Sequence, residues 1–324
     1  MSNFAELLGT ALLRRQEFLA LPHRQSCRLF DGFSEKYPHL TCDLFAKTAV
    51  VTIYRRETPL PENLSGELRR QLPFIKCIVL KKKFSSLAAE RNGEIIYGIK
   101  PDDTIWENGV RYAVDLMLNQ DNSFYGDTRL LRTYLLHHSA GKRVLNTFAY
   151  TGSLGVAAAC GNAAMVVQTD LNERFLALAK RSYSLNGIYY NKKNFICGNF
   201  FPVVASLKQR RELFDTVILD PPFFSASGAG NVDLAGEPGR LINKVRPLVT
   251  DGGKLIVVNN SLFLSGKEFM AALQALCADN PYLAVDRMIP VPEDYCGDFP
   301  QPVTPPEPFN HPTKIVVLTV KRKG

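Results

Sequence analysis

The stretch FDTVILDPPFFSASGAG, residues 214–230, runs a mostly apolar segment into Asp220 and sets two prolines and two phenylalanines at its mouth. Proline fixes its own φ and lacks an N–H, so Pro221 and Pro222 would present neighbouring carbonyls rigidly. A carbonyl or carboxylate held there can accept a proton or hydrogen bond from the amino group of a base, and Phe223 offers a face on which an extruded base could stack. Asp220, Pro221, Pro222 and Phe223 are therefore candidate catalytic residues. The plain alternative is a strand stopped by proline with two core phenylalanines. Two earlier segments carry chemistry of their own. NTFAYTGSLG places Gly152 and Gly155 in a turn where backbone can come close to a ligand, although the full GxGxxG pattern is absent. Asp170 follows Gly152 by 18 residues, at the end of AMVVQTD. A carboxylate there can accept hydrogen bonds from both ribose hydroxyls of an adenosine, or it can cap the helix that begins at NERF.

These residues need a scaffold that brings strand ends together. From about residue 129 a strand-then-helix rhythm repeats: KRVLNTFAY and LGVAAAC, AMVVQTD and NERFLALAKRSYSLNG, NFICGNF and PVVASLKQRR, TVILD and GRLINKVRPLV, KLIVVNN and GKEFMAALQALCA. Apolar strands alternating with helices predict a parallel sheet covered on both faces, with ligands beyond the carboxyl ends of its strands. The last two strands, AVDRMIPV and TKIVVLTVKR, are joined by a proline-rich loop with no room for a crossover helix, which predicts antiparallel pairing at the sheet edge. Residues 1–115 read differently. A helix in FAELLGTALLRRQEFLA stops at Pro22, short alternating strands follow, and ENLSGELRRQL adds a helix, which together make a small α+β domain beside an α/β domain of residues 116–324.

Composition narrows the class. The chain has 324 residues, is 46% hydrophobic and carries a formal charge of +8. No apolar window reaches the roughly 18 residues of a membrane span, and acids and arginines interrupt the N-terminal segment where a signal peptide would be apolar, so a cytoplasmic protein with no membrane partner is expected. Seven scattered cysteines form no CxxC or Cys/His cluster, which predicts reduced thiols and no metal site. The positive charge fits either an ordinary solvated surface or a nucleic-acid partner, with basic runs at 14–15, 81–83, 208–211 and near the C-terminus.

A glycine turn, a ribose acid and a DPPF segment on successive strand ends resemble the class I S-adenosylmethionine-dependent methyltransferases, with their Rossmann-like sheet. RLFDGFSEKYPHLTCDLFAKTAVV, VDLMLNQDNSFYGDTRLLRTYL, VLNTFAYTGSLGVAAACGNA and ILDPPFF, within residues 10–265, are similar more narrowly to the large-subunit ribosomal RNA methyltransferases of the I and K/L types. The PUA domain of I-type members has no counterpart here. The resemblance implies S-adenosylmethionine as cofactor, ribosomal RNA as partner and an RNA-binding role for the small domain, with monomer and homodimer both open. It implies that Asp127 and Arg129 of FYGDTR hold the methionine end, where the alternative is a surface ion pair. It implies further that Asn146, Tyr150 and Gly152 line the cofactor pocket together with Asp220, that Asp170 binds ribose, and that Asn199 stands where an acid usually meets adenine. Methylating carbon 5 of a pyrimidine needs a cysteine thiolate. I-type members carry Ser-Cys after the fifth strand; this chain has Asn259 and Asn260 there, the Asn-Asn pair of K-type members, which methylate a guanine ring nitrogen. The resemblance therefore implies direct transfer to a purine nitrogen, with Asn259 and Asn260 reading the base edge and Cys296 not a nucleophile. His311 and Lys314, in and after the C-terminal loop, are candidate RNA contacts. A methyltransferase of small molecules or proteins, and a catalytically silent RNA-binding relative, are the competing readings.

Overall fold

The structure, a computed structural model, describes residues 4–322 apart from 20–21, 33, 223, 228–229, 234–237, 262–263 and 296–312. The chain divides into two compact units, residues 1–126 with 292–301 and residues 127–291 with 302–324.

In the first unit, helix α1 (Phe4–Arg14) is followed by β1 (Ser26–Phe30), β2 (Leu40–Phe45), β3 (Thr48–Ile53), α2 (Leu64–Gln71), β4 (Cys77–Lys82), α3 (Ala88–Asn92) and β5 (Glu94–Tyr97). The five strands lie in chain order in one sheet, antiparallel except for β3 and β4, whose parallel pairing is bridged by α2. One face is sealed by Leu8 and Ala11 of α1 and Leu68 of α2, packed on Leu29, Leu40 and Ile78 of the strands. A hairpin, β6 (Thr104–Glu107) and β7 (Val110–Ala113), completes the order. The turn 292–295 belongs to this unit because Asp294 accepts the backbone N–H of Arg28 (3.0 Å), while the Arg28 guanidinium lies 4.8 Å from the Tyr295 ring centre. Gly126 abuts that ring, leaving no space for a Cβ.

The second unit holds α4 (Arg129–His138), β8 (Arg143–Thr147), α5 (Ser153–Cys160), β9 (Met165–Asp170), α6 (Glu173–Leu185), β10 (Phe195–Cys197), α7 (Phe200–Gln209), β11 (Phe214–Leu219), a hairpin of β12 (Phe224–Ser227) and β13 (Gly230–Asp233), α8 (Pro238–Val245), β14 (Val249–Asn259), α9 (Gly266–Ala278), β15 (Leu283–Ile289) and β16 (Lys314–Val320). The main sheet runs β10-β9-β8-β11-β14-β16-β15. Its first five strands are parallel, and β16 and β15 close the edge antiparallel, as the proline-rich character of the segment between them predicts. Val217, Ile218 and Leu219 of β11 and Leu255–Val258 of β14 are all buried because helices cover both faces, with α4 and α5 on one side and α7, α8 and α9 on the other. The second unit is thus the Rossmann-like α/β fold and the first a smaller α+β unit. The segment after Asp220, expected as a long loop, instead pairs with itself as the β12–β13 hairpin. Among the described residues no helix is long and apolar enough to cross a membrane, and no group of His, Cys, Asp or Glu could hold a metal.

Candidate active site

The parallel topology gathers the carboxyl ends of β8, β9, β10, β11 and β14 at one edge, and the candidate residues sit there. After β8 the backbone turns sharply: Phe148, Tyr150 and Gly152 all adopt positive φ, of 54°, 51° and 77°. The first two are conformations that side chains disfavour, so the turn is held from outside. Part of the hold is Asp170 at the end of β9. One of its oxygens accepts the Tyr150 N–H (2.7 Å) and the other the Asn172 N–H (2.9 Å). Capping of α6 falls to Asn172, whose side chain accepts the Arg174 N–H, so Asp170 is not the helix cap. Its carboxyl is half-buried, and burial raises its pKa against the opposing pull of those backbone N–H groups. Each carboxylate oxygen can accept a second hydrogen bond, which leaves room for a ribose diol.

Beneath the turn lies a residue that the strand pattern conceals. Gln168 of β9 is fully buried in an otherwise apolar strand, and its Oε1 accepts from Asn146 Nδ2 (3.2 Å). A Cβ on Gly152 would come within 2.7 Å of Gln168 Oε1, and one on Gly155 within 2.5 Å. The two glycines are thus required by the buried amide of Gln168. Asn146 Oδ1 and Gln168 Nε2 have no hydrogen-bond partner among the described residues, so a polar pair with spare capacity underlies the turn. Asn199 at the end of β10 uses its side-chain oxygen to cap α7, accepting the Phe201 N–H at 3.0 Å.

The second half of the edge joins residues far apart in sequence. Asn260, just past β14, donates to Asp220 Oδ1 (3.1 Å). The Thr313 hydroxyl lies 3.1 Å from Asn260 Oδ1 and 2.5 Å from Asp127 Oδ2. Asp127, Thr313, Asn260 and Asp220 therefore form a chain linking two carboxyl groups. A hydroxyl has one proton, so Thr313 donates to one of these two oxygens at a time. Burial first, and then the nearby Asp127, push the Asp220 carboxyl up to about 7, partly offset by the Asn260 hydrogen bond. Such a group changes charge near neutrality, which is a property of residues that handle protons or hydrogen bonds in a reaction. Pro221 follows buried and Pro222 exposed. Phe223, Cys296 and His311 lie outside the described residues.

Asn259 is buried and accepts the Ser261 N–H (2.8 Å), fixing the turn that presents Asn260. The loop beyond is held by Lys314, whose Nζ donates to the carbonyls of Ser261 and Leu264, both at 2.7 Å. Lys314 is only 4% exposed, and burial pulls its pKa down to about 8. It is a clamp on the site loop rather than the RNA contact expected from its place after the C-terminal loop. Arg129 opens α4 beside Asp127, and one turn on Arg132 is fully buried, donating to Thr128 (2.7 Å). Gln168, Arg132 and Thr313 escaped sequence reasoning. A glutamine inside VVQTD and an arginine on the apolar face of a helix were readable signals, whereas Thr313 stands 53 residues from Asn260 and gives none.

The edge thus offers a cramped polar turn with a carboxylate on one side and a hydrogen-bonded carboxyl chain on the other. The first of these fits the adenosine part of S-adenosylmethionine, since the Asp170 carboxylate keeps acceptor capacity for a ribose diol beside a turn with unpartnered buried amide atoms. Residues 27–300 match the family described as S-adenosylmethionine-dependent methyltransferase. The chain is 32% identical over 209 residues to ribosomal RNA large subunit methyltransferase I of Aeromonas salmonicida, covering 62% of this chain and 52% of that protein. It is 30% identical over 209 residues to the enzyme of the same name from Yersinia pestis, covering 61% and 51%. It therefore spans about half the length of the curated relatives it matches. The solved structure of the methyltransferase SMU.776 complexed with SAH superposes with a TM-score of 0.83 at 20% identity, covering 98% of this chain and 81% of that one. The likeness of fold also extends to the tRNA m1G37 methyltransferase of M. jannaschii, with a TM-score of 0.57 at 17% identity over 90% of this chain and 78% of that one.

Proposed function

The chain belongs to the S-adenosylmethionine-dependent methyltransferases, and from that premise we propose that it methylates a base of large-subunit ribosomal RNA, at a guanine nitrogen rather than at cytosine C5. The observation that supports this reading is the chain Asp127–Thr313–Asn260–Asp220 of hydrogen-bonding groups at the ends of β11 and β14, where no thiol stands among the described residues. S-adenosylmethionine supplies an electrophilic methyl group on a sulfonium sulfur. In this reading Asp170 accepts from the ribose and the Phe148–Gly152 turn lines the nucleoside pocket, with Asn146 and Asn199 at its floor and rim. Asp127 and Arg129 serve the methionine end.

Asp220 and Asn260 act on the other partner. Ionised above about pH 7, Asp220 accepts a hydrogen bond from an amino or ring N–H of the base and aims the reacting lone pair in line with the bond to be broken. Asn260, held by Thr313, orients Asp220, and Asn259 shapes the turn that carries it. Carbon 5 of cytosine is not nucleophilic until a thiolate adds to the ring, and Asn259, Asn260 and Ser261 provide none at that strand end. The relatives' names supply the ribosomal RNA class. The first unit takes a role in positioning RNA.

The test is labelled-methyl transfer from S-adenosylmethionine onto total RNA from a strain lacking the gene, followed by nucleoside analysis of the large-subunit RNA. Methylguanosine is expected. Label in 5-methylcytidine would refute direct transfer to a nitrogen, and cofactor binding with no RNA labelled would refute the RNA substrate.

A further inference from the structure

The basic runs of the sequence have unequal fates in the fold. Arg15 is buried against Glu35 (2.8 Å). Lys81 is fully buried with its Nζ on the carbonyls of Asn119 and Asp121, while Lys82 and Lys83 pair with Glu90 (2.7 Å) and Asp121 (3.0 Å). Near the C-terminus, the Arg322 guanidinium donates to the carbonyl of Val249 (3.1 Å). Each of these cations has a structural task.

KQRR at 208–211 does not follow that pattern. It ends α7, and beside it lie Lys244 of α8 and Arg246 just after. Lys208, Arg210, Arg211, Lys244 and Arg246 have no ion-pair partner among the described residues. Arg240 and Lys244, one turn apart on α8, reach over the half-buried Phe201 ring of α7 at 6.0 and 5.9 Å. Lys208 is pulled below the usual lysine range, first by burial and then by the charges of Lys244 and Arg246. Like charges within reach of one another disfavour the isolated fold, and the grouping becomes favourable only when an anion spans it. An aromatic ring framed by cations is also the composition that single-stranded nucleic acid uses, with phosphates on the cations and a base on the ring.

We infer that the α7–α8 face, with Arg240 and Lys244 over Phe201 and Lys208 and Arg246 further along, is a docking track for the sugar-phosphate backbone of the RNA substrate. The inference rests on the RNA reading above and locates where that RNA lies. Phe201 is in the first turn of α7, two residues past Asn199 at the carboxyl end of β10. The track therefore starts at the strand ends that carry the candidate site and runs down the helices toward Lys208, in the last turn of α7.

The test is the double variant Lys208→Glu/Lys244→Glu in the full chain, assayed with a large-subunit RNA transcript between 50 and 300 mM salt. A tenfold or greater rise in KM for RNA is expected, with kcat and S-adenosylhomocysteine affinity unchanged. The slope of log K against log salt should become less negative by about 1.4–1.8, the value for two lost phosphate contacts. Lys244→Arg should behave as wild type. If charge reversal also costs S-adenosylhomocysteine binding, the milder Lys208→Gln/Lys244→Gln pair gives the same readout in a folded protein. Wild type that methylates RNA while the variants keep its KM and salt slope would overturn the track alone. Wild type that neither binds nor methylates RNA would overturn the RNA reading and the track with it.

Discussion

Replacing Asp220 with asparagine separates what this side chain does for folding from what it does for the reaction. An unfolded aspartate titrates near 3.8, whereas Asp220 in the fold titrates at about 7. Between these values the folded protein binds more protons than the unfolded chain, so stability falls as pH rises through that window and the loss is complete above pH 7. One decade of proton affinity corresponds to about 1.36 kcal/mol, so the separation sets a ceiling of about 4 kcal/mol at pH 8. Asp220 keeps part of its surface in solvent, and screening lowers the expected figure to about 2 kcal/mol. Asparagine is isosteric, retains an oxygen to accept from Asn260 and has no charge to bury. Asp220→Asn should therefore match wild type in urea unfolding at pH 4 and exceed it by about 2 kcal/mol at pH 8, while methyl transfer falls at least a hundredfold and S-adenosylhomocysteine affinity changes little. A stability difference that stays constant from pH 4 to pH 8 would refute the assignment of a raised carboxyl to Asp220. Unchanged turnover would refute its role toward the base.

The remaining predictions address the supports of the site. Thr313→Val removes the hydroxyl between Asp127 and Asn260 at almost constant volume; kcat should drop about tenfold with little change in melting temperature, and a normal kcat would show the link to be incidental. Gly155→Ala drives a methyl group into Gln168, which should cost about 2 kcal/mol in chemical unfolding and more than tenfold in S-adenosylhomocysteine affinity by calorimetry. Adding Gln168→Ala should restore most of the stability, and a double variant no better than the single would point to a different obstacle. Lys314→Met should release the Ser261–Leu264 carbonyls and destabilise by about 1–3 kcal/mol, seen as faster amide exchange confined to residues 259–265. Asp170→Asn should weaken cofactor-product binding about tenfold or more, measured by calorimetry at pH 7.

Much of the architecture was determined by local pattern alone. Apolar strands such as TVILD and KLIVVNN, alternating with amphipathic helices, are satisfied by a parallel sheet covered on both faces, and a proline-rich link that cannot form a regular crossover helix between AVDRMIPV and TKIVVLTVKR favours antiparallel pairing. Asp170 and Asp220 were legible for the same reason: an acid that ends an apolar strand must emerge at the sheet edge. Charge runs were not legible, because a lysine in KKK and one in KQRR look alike until their partners are known. Lys81 turned inward onto two carbonyls, whereas the half-buried Lys208 has Lys244 and Arg246 as charged neighbours among the described residues. Nor did Lys314, which reads as a basic residue after a proline-rich loop, disclose that β16 inserts between β14 and β15 and carries it into the core. The carboxyl chain from Asp127 through Thr313 and Asn260 to Asp220 spans 186 residues between its first two members. Side-chain periodicity records which face of an element is buried, but long-range hydrogen bonds depend on which strand ends the sheet order makes neighbours, and only the folded chain decides that.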